Sequence, residues 1–157
     1  MAIEDVAAEP AGVPLTIGIL HKRSPYTVSQ TVLRLASAIR AAGELPVFVV
    51  DHSGEAGRVG NQLRDTKIVG FEDPAVASQI IEASPLAALD LPLRLLVWMD
   101  YDGSVWVSYH DATWLAERHG ISEELTKQLA GIDELIAEAV VSTEEEAPEP
   151  GPTSDMG

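Results

Sequence analysis

The chain has 157 residues, 46% of them apolar, no cysteine and a formal net charge of −15. That length suits one domain, since domains usually run to about 100–150 residues. The lack of cysteine excludes disulfides, thiolate metal sites and cysteine nucleophiles. The acidity sits at the ends: residues 11–121 hold 12 acidic and 9 basic side chains, whereas residues 122–157 hold 10 acids and one lysine. No stripe of Lys and Arg is present to displace counterions from a nucleic acid, and an anionic membrane surface would repel such a chain. No window approaches the roughly 18 apolar residues of a membrane span. Met1 to Pro14 has neither the basic start nor the apolar run of a secretory signal, so a cytoplasmic protein is expected.

Residues 1–13 read as a flexible N-terminal segment, and residues 14–121 as the folded domain. Leu15 to Lys22 alternates as a strand does, with Leu15, Ile17 and Ile19 on one side. Thr27 and Gln30 have capping-box spacing, and Val28, Leu35 and Ile39 keep one helix face apolar until Gly43 closes it. Pro46 to Val50 reads as a short buried strand and Lys67 to Phe71 as another. Asp73 before Pro74 opens a helix over Ala75 to Ala83. Leu93 to Met99 is a nearly continuous apolar run, and Ser104 to Tyr109 alternates. Asp102-Gly103 between them suits a two-residue type I′ turn. That register sets Trp98 opposite Val107, placing Leu96, Trp98, Val105, Val107 and Tyr109 on one face, with Val97, Met99 and Trp106 on the other. A helix over Trp114 to His119 follows.

Residues 122–141 then predict an amphipathic C-terminal helix with Leu125, Leu129, Ile132, Ile136, Ala139 and Val140 as its stripe. Ser122 is its N-cap, and Glu123 and Glu124 stand at the positive end of its dipole. It packs on the domain or on a dimer partner. Residues 142–157, with three prolines, five acids and a single large apolar residue, predict a disordered acidic tail. The order β-α-β-β-α-β-β-α-α gives an α+β class, a two-layer sandwich with a mixed, largely antiparallel sheet.

Several residues have the chemistry of a site. Asp51-His52 at a strand end pairs a carboxylate with an imidazole, suited to acid–base work or metal binding, although a strand-end Asp starting a turn beside an exposed His explains it more simply. Gly54, Gly57 and Gly60 are spaced GxxGxxG, which matches neither the dinucleotide nor the Walker pattern and reads as turn glycines. Asp73 suffices as an N-cap. Asp90 between two leucines needs a partner if buried, although a turn Asp bonding to backbone amides explains it more simply. Tyr109 offers a phenol at a strand end, and Asp111 is either its polar companion or a cap for the next helix. No HExxH or HxH spacing occurs, so no metal is expected, and no cofactor motif is present. His21 and His119 read as surface or satisfied residues.

From Pro46 onward, a set of pieces recurs in order: Val50-Asp51-His52-Ser53, Ala56, Gly60 and Leu63; Phe71 with Asp73-Pro74; Ala88-Leu89-Asp90-Leu91-Pro92-Leu93. Leu96-Val97-Trp98, Asp102-Gly103 and Val105-Trp106-Val107-Ser108-Tyr109 complete it. Through these pieces, and the Thr27 helix start, the chain resembles the bacterial and archaeal domain of unknown function 302 family. It departs from the family where Phe71-Glu72-Asp73-Pro74 replaces a common Phe-Gly-Asn-Pro, and where Arg64-Asp65 replaces prolines. The resemblance implies a compact α+β sandwich, a homodimer and no established reaction.

Three functional readings follow. The first is a dimeric small-molecule-binding domain drawing on Asp51, His52, Asp73, Asp90, Tyr109 and Asp111. The second is an enzyme with His52 as acid or base and Asp51 or Tyr109 assisting, which requires those three to converge. The third is an interaction module acting through the C-terminal helix or acidic tail, which requires Leu125, Leu129, Ile132 and Ile136 to be exposed.

Overall fold

The structure is a computed structural model that describes residues 8–141. The expectations for residues 1–7 and for the acidic tail lie outside the described residues. Five strands make one antiparallel sheet: β1 (Ile19–Ser24), β2 (Leu45–Asp51), β3 (Thr66–Glu72), β4 (Leu93–Met99) and β5 (Val105–His110), in the order β1-β5-β4-β3-β2. Every adjacent pair runs antiparallel, so the parallel component of the expected mixed sheet is absent among the described residues. Among the described residues six helices accompany it: α1 (Val28–Ala41), α2 (His52–Arg58), α3 (Pro74–Ala83), α4 (Ala112–His119), α5 (Glu123–Ala130) and α6 (Ile132–Ala139), with a 3₁₀ turn at Pro85–Asp90. The α+β two-layer sandwich read from the sequence is the observed class.

Local chemistry explains most boundaries. Thr27 Oγ1 accepts the Gln30 N–H and Gln30 Oε1 accepts the Thr27 N–H, both at 3.1 Å, so two orphan donors at the start of α1 are satisfied reciprocally. Val28, Val32, Leu35 and Ile39 then recur on one face and are all buried. Ser122 caps α5 through the Leu125 N–H. The expected single C-terminal helix is divided at Gly131, which links α5 to α6.

β1 begins at Ile19 rather than Leu15, because Gly18 adopts a positive φ of 84° and turns the chain just before it. Leu15 and Ile17 are consequently exposed. β2 is not the buried strand expected from its composition. It lies at the sheet edge, with Leu45 65% exposed and Val47 and Val49 at 53% and 50%.

The hairpin register also differs. Trp98 stands opposite Trp106 and Met99 opposite Val105. The connection has three residues, Tyr101-Asp102-Gly103, closed by Gly103 N–H to the Asp100 carbonyl (3.0 Å) and Asp100 N–H to the Ser104 carbonyl (2.8 Å). A type I′ turn would need positive φ at Asp102 as well, and only Gly103 has it. A shift of one residue in register exchanges the faces of one strand relative to the other. Leu95, Val97 and Met99 therefore share a face with Val105, Val107 and Tyr109. This face packs on Val28, Leu35 and Ile39 of α1 and on Ile132 and Ile136 of α6. Leu96, Trp98, Trp106 and Ser108 point to the other face, which no helix of the main core covers. The segment before β1 is tied by Gly12 N–H to the Asp100 carboxylate (3.0 Å) at one end and by Gly18 against the Trp114 ring at the other.

Candidate functional site

The polar residues singled out from sequence do not converge on one place. Asp51 ends β2 and caps α2, accepting the Gly54 N–H at 2.9 Å and the Ser53 hydroxyl at 2.7 Å. The Gly54 amide, followed by the Ser53 hydroxyl, holds its carboxyl below the usual carboxylate range. His52 is the exposed first residue of α2. Gly54 and Gly57 lie within that helix and Gly60 has positive φ just after it, so these glycines serve helix and turn.

Tyr109 is buried in the core and donates its hydroxyl to the Asp133 carboxylate of α6. Burial pushes the phenol upward, and the Asp133 hydrogen bond and charge push it further, so it stays protonated. Three strand spacings of about 4.8 Å each separate β2 from β5, so Asp51 and Tyr109 stand at least about 14 Å apart. The structure does not bring Asp51, His52 and Tyr109 together. Tyr109→Phe is expected to lower stability by about 1.5 kcal/mol, because the Asp133 carboxylate loses a charge-assisted partner. A lower urea midpoint with unchanged slope would show this.

Asp90 ends the 3₁₀ turn and meets two arginines and a histidine. His119 Nε2 lies 2.5 Å and Arg118 Nε 3.2 Å from Oδ2, and Arg94 Nη2 lies 3.7 Å from Oδ1. The partner that a semi-buried aspartate needs is therefore His119, which is itself satisfied as expected. Asp111 caps α4 by accepting the Thr113 N–H at 3.3 Å. His21 is also satisfied: its Nδ1 lies 2.7 Å from Ser108 Oγ, which accepts the Trp98 indole N–H at 2.8 Å. Among the described residues no group of three or more His, Asp and Glu is arranged to hold a metal.

Asp73 differs from the other candidates. It caps α3 by accepting the Ala75 N–H at 3.0 Å, and it also stands on the rim of a cleft of about 370 Å³. The cleft opens between the C-terminal end of α1, the start of α3, the α5–α6 joint and the sheet end where β3 finishes and β4 begins. Phe71, Val76, Ile80, Leu93, Leu129 and Leu135 give it an apolar floor. Glu44, Glu72, Glu134 and Glu138 join Asp73 around it, and no Lys, Arg or His is among its lining residues. Burial pushes the Glu44 carboxyl upward, and the Asp73 charge adds to the effect. Sequence reasoning missed these glutamates. Glu134 and Glu138 are four residues apart on α6, which marks one helix face, but such a pair reads as a solvated surface until the facing α1 and α3 are known.

The family model for the domain of unknown function DUF302 matches residues 20–139. The chain belongs to the DUF302 family. The crystal structure of an uncharacterized conserved DUF302 protein from Bacillus stearothermophilus has a TM-score of 0.66 at 16% identity, covering 80% of this chain and 97% of that one. At that identity the likeness speaks for the DUF302 fold alone. Among curated proteins, the fluoride-specific ion channel FluC 1 of Brucella suis is 32% identical over 104 residues, 66% of this chain and 41% of the channel. FluC 1 of Brucella abortus is 32% identical over the same length and 38% covered. The chain thus spans about two-fifths of the length of these relatives. Among its own described residues, no helix is long and apolar enough to cross a membrane.

Proposed function

We propose that this DUF302 chain is a small-molecule-binding domain that acts as a homodimer, with the cleft beside Asp73 as its ligand site. The observation that carries the reading is the cleft itself: about 370 Å³, with an apolar floor and polar groups confined to the rim. Ligand sites are commonly concave, mostly apolar and about 300–1,000 Å³ in volume. Of the residues expected from sequence, Asp73 belongs to this site. Asp51 and Asp111 cap helices, Asp90 is engaged by His119 and Arg118, and Tyr109 is engaged by Asp133.

Support for the homodimer comes from β2. It is an edge strand with exposed Leu45, Val47, Val49 and Val50, and unpaired edges of this kind accept a second strand. Two β2 strands paired about a twofold axis would satisfy the free backbone groups of this edge and set these side chains beside their counterparts.

A fragment screen followed through amide chemical shifts tests the ligand site. Binders are expected to move Ala38, Ala77, Leu93 and Leu135, and Ala41→Trp at the exposed rim should abolish those shifts. Binders that move only the Asp51-His52 region would sink the cleft reading. For the dimer, light scattering of Val47→Lys/Val49→Lys should report half the mass of the parent, and an unchanged mass would remove β2 as the interface.

The Brucella channels favour a second reading, in which the DUF302 domain is an accessory to fluoride handling. The carboxylate rim opposes direct capture of a small anion in the cleft, so this reading assigns the domain a regulatory role. Fluoride titration with no effect on the cleft amides, but altered channel flux when the domain is present, would favour it.

A further inference from the structure

We infer that the ligand of the cleft is an organic cation with an apolar body, such as an alkylammonium, rather than a neutral or anionic compound. The inference rests on the cleft being the ligand site and adds its chemical class. Two features carry it. The first is charge: Glu44, Glu72, Asp73, Glu134 and Glu138 line the cleft with no basic side chain among them, so the local field favours a cation. Of the helix ends at the cleft, the start of α6 at Gly131 has no side-chain cap, but it carries Asp133 and Glu134 in its first turn and abuts the negative end of α5. Helix α1 ends at the cleft through Ala38, Ala41 and Ala42, and a helix C-terminus carries partial negative charge. The positive end of α3 also lies there, but the Asp73 carboxylate already caps it.

The second feature is the separation of charge from the floor. Carboxylates stand around the opening, whereas Phe71, Ile80, Leu93 and Leu129 lie within 8% of full burial or form the packed sheet end. A fully hydrated ion such as Mg²⁺ would gain nothing from that floor, and a neutral hydrocarbon would gain nothing from the rim. An ammonium group on a short apolar chain uses both. Its ammonium would also offset the burial of Glu44 and, secondarily, the Asp73 charge, which together disfavour ionisation of Glu44.

The test compares three probes of one shape against the full chain at pH 7 and low salt: hexylammonium, hexan-1-ol and hexanoate, followed by amide chemical shifts. Hexylammonium is expected to bind about tenfold more tightly than hexanol, with hexanoate weakest, a gap consistent with one partly solvated charge interaction. The gap should narrow in Glu72→Gln/Glu134→Gln and at 0.5 M salt, while hexanol binding stays unchanged. Equal affinity of hexylammonium and hexanol, or preferred binding of hexanoate, overturns the cationic class but leaves the cleft as a site. If all three probes act identically on the parent and on Ala41→Trp, the site itself is wrong and the proposed function falls with it.

Discussion

Ile136→Ala is expected to lower the unfolding free energy by about 3 kcal/mol, within the usual range for removing a buried Ile side chain. Ile136 has no exposed surface and belongs to the same cluster as Leu35, Ile39, Val107 and Tyr109. The loss combines the transfer of the missing methylenes with the void left between α6 and α1. Little collapse is available to fill that void, because α6 is held at both ends. Asp133 in its first turn accepts the Tyr109 hydroxyl, and at its C-terminus the Ala139 carbonyl accepts Arg34 Nε at 2.7 Å. Urea unfolding should show a lower midpoint with unchanged slope. The substitution separates two roles for the C-terminal helix. If this segment served only to dock a partner, Ile136→Ala would leave stability within about 0.5 kcal/mol of the parent, as surface changes do. Its burial, with that of Leu129 and Ile132, makes it part of the domain's own core.

Features with a local signature were legible in the sequence. The Thr27–Gln30 box, the Asp73-Pro74 start and the Ser122 cap each satisfy backbone donors within three residues, so short-range chemistry decides them. β4 was readable to its ends because an apolar run, broken only by Arg94, stops at a polar turn. The hairpin register was not, because Asp102-Gly103 is compatible with a two-residue or a three-residue loop. The choice involves Asp100, which is buried and accepts N–H bonds from Tyr101 and, across 88 residues, from Gly12. No local pattern carries that information. β2 was misread for a similar reason: an apolar run signals a strand, but only the sheet order shows that it lies at an edge.

The candidate site divides along the same line. Carboxylates at strand and helix ends stand out in a sequence, yet that position is also where capping places them, and Asp51, Asp73 and Asp111 all cap. Only Asp73 adds a cleft to its cap, because the end of α1 and the α5–α6 joint come to rest beside it. Glu44 and Glu134 are 90 residues apart, and no periodicity links them.

Asp90→Ala is expected to cost about 2.5 kcal/mol at pH 7, close to the cost of a lost hydrogen bond to a charged group. The three side chains around Asp90 do not contribute equally. The Arg94 and Arg118 side chains are 41% and 52% exposed, so water would solvate them after the change, whereas His119 is 8% exposed and would lose its Nε2 partner inside the fold. Asp90→Asn keeps an oxygen near His119 and should cost about half as much, since it removes only the charge. Burial pushes the Asp90 carboxyl upward, but the His119 hydrogen bond and the charges of Arg118, His119 and His110 outweigh it and hold the group below its ordinary value. A carboxylate whose folded pKa is depressed contributes its full stability above the unfolded value of about 3.9 and loses it as pH falls through the folded value. The gap between the parent and Asp90→Ala should therefore be wide at pH 7 and close below about pH 4. Chemical denaturation at pH 7, 5 and 3 measures it. A gap that persists undiminished at pH 3 would mean that Asp90 acts through packing of the 3₁₀ turn on α4 rather than through its charge.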